Sequence, residues 1–156
     1  MTEWLHALEA SAFGAAVKTS AWLYPAANTA HILALMAFFA AVAVMDLRLL
    51  GAFQGASVVS VFAVARPIAI TAFVLIAASG AAMFSSEPVS LAGNLAFLAK
   101  MALIGAALLN ALALEAFFGR GIAAGAAIPA AAKTAGAASL ALWLCIAAAG
   151  RLIAYV

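Results

Sequence analysis

Four stretches of the chain run apolar far longer than a soluble core helix requires, and short polar or Gly/Pro-bearing segments separate them. A helix needs about 20 apolar residues to cross the hydrocarbon core of a bilayer. By that measure the first span is predicted over residues 22–45. Pro25 falls in its first turn, where a missing N–H costs little. The string Asp46-Leu47-Arg48-Leu49-Leu50-Gly51 closes the span, with Gly51 as the expected C-cap. The second span is predicted over 58–84 and contains Arg66-Pro67, where a kink or a broken first part is expected. If Pro67 instead starts the helix, residues 58–65 lie in the interface. Ser85-Ser86-Glu87-Pro88 and Gly93-Asn94 mark a loop, and the third span follows over 95–118. A Gly/Ala-rich linker, 119–129, leads to a fourth span over 134–155, with Pro129 as an alternative start.

Ahead of the first span the period changes. Within residues 3–16, Trp4, Leu5, Leu8 and Ala12 share one helical face, and Glu3, His6 and Glu9 share the other. That pattern predicts an interfacial amphipathic helix lying on the membrane; the plain alternative is a frayed polar N-terminus. The expected organisation is an interfacial segment, 1–19, followed by a single transmembrane domain, 20–156. The expected fold class is all-α: an integral membrane four-helix bundle with an N-terminal interfacial amphipathic helix.

Composition strengthens this reading. The chain is 70% hydrophobic and 8% charged, whereas soluble domains are roughly half apolar and a quarter charged. A soluble core of this size could not hide so much apolar surface, so the bilayer is the expected solvent and partner. The abundant Ala and Gly of the last two spans favour close helix approach, hence a compact bundle. The net charge of +2 is scattered, which leaves no basic patch for nucleic acid. Cys145 is the sole cysteine, so neither an intramolecular disulfide nor a Cys-pair metal site is available. The start Met1-Thr2-Glu3-Trp4-Leu5-His6 lacks the basic residues that open a secretory signal peptide. Arg48, Arg66, Arg120 and Lys133 flank the two odd-numbered loops, against Lys18, Lys100 and Arg151 at the other side. The majority predicts cytoplasmic odd-numbered loops and both termini outside.

Few ionisable groups enter the spans, and such groups usually face a bundle interior or a wet cavity. His31 lies nine residues into the first span, about 14 Å below the outer surface. Tyr24, Asn28 and His31 form a polar stripe on that helix. A neutral imidazole there can ligate a metal; the plain reading is a packing histidine bonded to a neighbouring hydroxyl or carbonyl. Lys100 and Arg151 fall in the same outer half, either snorkelling to the headgroups or clamping an anion. Met83 and Met101 share that half and could add thioether donors beside His31, as copper(I) or haem iron accepts, although most such methionines are filler. At the inner end, Asp46 is expected to pair between helices with Arg120 or Lys133, and Asn110 to hydrogen-bond across helices.

Three strings are more specific than composition. They are Trp22-Leu23-Tyr24-Pro25 with Asn28, His31-Ile32-Leu33 and the Asp46–Gly51 string; Phe97 with Lys100 and Leu109-Asn110-Ala111; and Trp143 with Ala149-Gly150-Arg151-Leu152-Ile153-Ala154-Tyr155. Together they resemble a bacterial family of small four-helix inner-membrane proteins classed as a domain of unknown function, over residues 20–155. The family's general shape is in turn distantly similar to CopD-type copper-resistance membrane proteins and to small b-type cytochromes. The resemblance implies the bacterial inner membrane, and haem b or copper as the cofactor. Paired span histidines of the cytochrome kind are absent, since His31 stands alone within the spans.

Three functions follow as expectations. The first is a haem- or metal-binding, redox-type subunit using His31, with Lys100 and Arg151 holding anionic groups. The second is a structural or assembly subunit, as a homo-oligomer or within a larger complex. The third is a small transporter subunit. An enzyme is the least supported class, because no phosphate loop, nucleophile elbow or carboxylate pair is present.

Overall fold

In a computed structural model of the chain, residues 3–153 and 155 are described. They form seven α-helices: α1 (Glu3–Glu9), α2 (Ala12–Thr19), α3 (Leu23–Leu50), α4 (Val58–Ser86), α5 (Pro88–Gly93), α6 (Leu95–Ala123) and α7 (Ala130–Leu152). The four long helices, α3, α4, α6 and α7, are each long and apolar enough to cross a membrane. At 1.5 Å per residue the 28 residues of α3 extend about 42 Å, more than the roughly 30 Å hydrocarbon core. This is an all-α, multi-span helical membrane protein.

Local chemistry sets the helix ends. Ser57 Oγ accepts from the Ser60 N–H at 3.0 Å, and Asn94 Oδ1 accepts from the Phe97 N–H at 3.0 Å. These are the side-chain N-caps of α4 and α6. Gly51 closes α3 with φ 101°, the left-handed conformation that glycine adopts without a Cβ clash. The Asp46–Leu50 string therefore lies inside α3, which is a turn longer than the apolar run alone implied. α4 is continuous through Arg66-Pro67. Pro67 is exposed, so its ring stands away from the seam, and packing against α3 holds the helix on both sides of it. The segment expected as a loop after α4 contains the short helix α5, with Pro88 at its first position.

α3, α4 and α7 each bury a stripe at mostly alternating three- and four-residue spacing. On α4 it runs through Phe62, Ala65, Ala69, Ala72, Ile76, Ser79, Met83 and Ser86. On α7 it runs through Ala132, Gly136, Ser139, Trp143, Ile146 and Ala149. That spacing is the seam of left-handed, near-antiparallel bundle packing. α3 and α4 form one hairpin, α6 and α7 the other, and α3 joins the two by packing on α7. Gly136 makes this close, since a Cβ there would come 3.4 Å from the Asp46 carbonyl oxygen. The mid-bundle core is aromatic: Phe38 meets Trp143 edge-on with centroids 4.5 Å apart, and Phe73 at 5.7 Å. Among small neighbours such as Ala72 and Ala107, these rings fill the centre.

α4 and α6, on the remaining side of the bundle, touch sparingly. Phe84 stacks on Phe97 at one end, and Arg66 pairs with Glu115 through both carboxylate oxygens at the other. The amphipathic N-terminal segment is two helices, not one. Ser11 breaks it and caps α2 by accepting from the Gly14 N–H at 3.0 Å. Leu5 and Val17 are buried, and α2 packs against α4. Lys18 donates to Glu9 Oε1 at 2.7 Å, which ties α1 to α2 and raises the Lys18 pKa above the ordinary lysine value. α1, α2 and α5 thus cover the end of the bundle that holds the start of α3 and the end of α4, hereafter the capped end. Loops 51–57 and 124–129 form the opposite, loop end.

Candidate functional site

Polar side chains occupy the seams at two levels, one on either side of the aromatic core. The level nearer the capped end centres on His31. His31 lies on the α3 stripe that continues through Ala34, Phe38 and Ala41, so its ring turns towards α4. There it packs over Gly80, where a Cβ would meet its Cε1 at 3.3 Å. Its Nδ1 lies 2.9 Å from Ser79 Oγ. The Ser79 hydroxyl donates its proton to the Leu75 carbonyl at 2.6 Å. With that proton on Leu75, Ser79 Oγ accepts and a neutral imidazole carries its proton on Nδ1; with it turned to the ring, Ser79 donates to Nδ1 instead. The Ile76 carbonyl also lies close to the ring and to Ser79 Oγ, 3.2 Å away. In the first of these tautomers Nε2 keeps its lone pair, the state of a ligating histidine held by an outer hydrogen bond.

Lys100, on α6, is half-buried and close enough to His31 for their charges to interact. Its ammonium lies along α7 at Gly150, where an added Cβ would sit 3.5 Å from Nζ. The structure thus brings His31, Ser79 and Lys100 to one level. Arg151 is placed differently. It is exposed, donates to the Tyr155 hydroxyl at 2.6 Å, and lies over that ring at 5.0 Å from the centroid. Tyr24 and Asn28 are exposed at the start of α3, at the rim of this level. Met83 is half-buried on the α4 seam, one turn beyond Ser79, whereas Met101 is exposed on α6. Among the described residues, no three His, Cys, Asp or Glu side chains gather as a metal-ligating group.

The second level lies towards the loop end. Asp46 is 4% exposed, and its Oδ2 has no hydrogen-bond partner. The expected ion pair with Arg120 or Lys133 is not formed: both cations are exposed, and Ser139 of α7 is the side chain that bonds the carboxyl. The reason is register. Gly136 and Ser139 lie on the α7 stripe that faces α3, and Lys133 lies off it. Arg66 of α4 pairs with Glu115 of α6 instead. Asn110 does cross helices, donating from Nδ2 to the Ala135 carbonyl at 3.0 Å.

The two serines were not singled out from sequence. Each was findable, because Ser79 and Ser139 fall on otherwise apolar three-and-four stripes, where a hydroxyl must serve a neighbour. No protein-family model, no curated protein and no solved structure gives a significant match to the chain.

Proposed function

We propose that this chain is a haem- or metal-carrying, redox-type membrane subunit to which His31 contributes one ligand. One observation carries the reading: His31 Nδ1 lies 2.9 Å from the Ser79 hydroxyl within a span, beside a half-buried ammonium, and in the tautomer with the proton on Nδ1 the Nε2 lone pair is free to ligate. Neutral histidine so oriented is the form that binds haem iron or copper. Lys100 would hold an anionic group of the same ligand, such as a haem propionate. The donor set fits one ligand position. It does not fit a bis-imidazole centre or a three-donor copper cage within one chain, because His31 is the only span histidine and no such cluster is gathered among the described residues. Met83 is the candidate second donor, and a second copy or a partner subunit is the other source. Haem b or copper, when bound, would supply one-electron chemistry.

The same reading places the chain in the bacterial inner membrane, within the uncharacterised four-helix family that its Asp46–Gly51 and Gly150-Arg151 strings resemble. Arg48, Arg66, Arg120 and Lys133 all lie towards the loop end, which favours a cytoplasmic loop end and periplasmic termini. Exposed Trp4, Trp22, Tyr24 and Tyr155 all lie towards the capped end, as an interfacial aromatic belt would.

Protein purified from haem- and copper-replete cells is expected to show a Soret band or bound copper that His31→Ala removes without loss of helicity. A colourless, metal-free preparation overturns the proposal. A second reading, an assembly subunit, is favoured by α6, which has only 6% of its most apolar stretch buried within the chain. A larger particle in mild detergent supports it, and a monodisperse particle of this chain alone opposes it.

A further inference from the structure

We propose that Asp46, with Ser139, forms an intramembrane proton-binding site, separate from the His31 level and independent of any ligand held there. The carboxyl is on the seam of α3, pressed against the close approach that Gly136 allows on α7. It is 4% exposed, and one of its two oxygens has no partner. A carboxylate removed from water costs several kcal/mol unless hydrogen bonds and a counter-charge compensate. Here Ser139 gives one bond.

Among the described residues, no charged side chain compensates the rest. Of the groups on the packed elements, α4 offers Arg66 and α6 offers Glu115, which are tied to each other. Arg120 of α6 and Lys133 of α7 are exposed. Arg48, on the same helix, donates its Nε to the Ala56 carbonyl at 2.8 Å. A divalent cation would need several oxygen ligands and more negative charge, and the described residues gather no such cluster. The smallest cation that removes the charge is a proton, which needs no coordination shell. Asp46 is one turn, about 6 Å, from the end of α3, so exchange is with the loop end. The aromatic layer of Phe38, Phe73 and Trp143 separates it from His31.

The chain makes the test direct, because Asp46 is its only aspartate. Full-length protein made by cell-free synthesis with carboxyl-13C aspartate, in liposomes, reports one group by isotope-edited infrared spectroscopy. The expected spectrum at neutral pH has the C=O stretch of a protonated acid, unchanged between sodium-free and sodium-containing buffer. Ser139→Ala is expected to shift that band and leave it present, since the hydrogen bond is lost and the proton kept. A carboxylate spectrum at neutral pH in both buffers overturns the proposal. A carboxylate spectrum that appears only with sodium also overturns it, and assigns the site to the metal cation. Asp46→Asn, which imitates the neutral acid in shape, is expected to retain the wild-type helicity and elution volume. Loss of the fold in that variant would show that the charge itself is needed, and would contradict proton binding.

Discussion

Single atoms decide how the N-terminal helices sit on the bundle. Gly14 is buried where α2 meets α4, and a Cβ there would stand 2.5 Å from the Leu8 carbonyl oxygen and 2.6 Å from that of Ser85. Both obstacles are backbone, so neither can swing aside. Gly14→Ala is expected to lift α2 from α4 and to lower thermal stability by about 1–3 kcal/mol, the usual cost of overpacking. Thermal unfolding followed by circular dichroism checks this, and an unchanged midpoint would contradict the contact. The same scale governs the His31 level. The imidazole tautomer follows from where one serine proton goes, and that depends on Leu75 lying four residues before Ser79 on α4. Sequence showed the histidine and its place in the first span. It could not show Ser79, because which turn of α4 lies beside His31 depends on the α3–α4 register.

At the scale of elements, the long helices were legible and their partners were not. An apolar run reveals a span through its length, and Gly51 and Asn94 reveal ends through backbone chemistry. Rotation about each helix axis is written in the three-and-four stripes, but only polar exceptions on a stripe make it visible. Asp46 illustrates the gap. Its place at the end of the span was evident and its burial was not, and the expected partners Arg120 and Lys133 face away while Ser139 faces it. The amphipathic pattern predicts one helix, and Ser11 divides it into two. The tie between these two helices gives a pH expectation. Glu9 raises the Lys18 pKa, so the tie contributes fully below the ordinary lysine value and is lost as pH rises through the raised one. The stability gap between wild type and Glu9→Gln should therefore close at strongly alkaline pH. A gap that persists there unchanged would mean that the Lys18–Glu9 pair contributes nothing to it.

On the scale of the whole molecule, two polar levels are held apart by an aromatic core, within four spans whose outer surfaces are apolar. Exposed Leu109, Leu112, Phe117 and Val64 are faces that lipid solvates without penalty, whereas water would not. The bilayer thereby fixes which side of the membrane each level approaches. His31 and Lys100 belong to the leaflet next to α1, α2 and α5, and Asp46 to the other. Single cysteines placed in a Cys145→Ala background read this sidedness in sealed vesicles with a membrane-impermeant thiol reagent. Ala10→Cys and Ser90→Cys are expected to react from one side, and Gln54→Cys and Ala126→Cys from the other, so that one pair reacts in sealed vesicles and the other only after they are opened. Reaction of all four from the same side would contradict the four-span arrangement, and with it both sites.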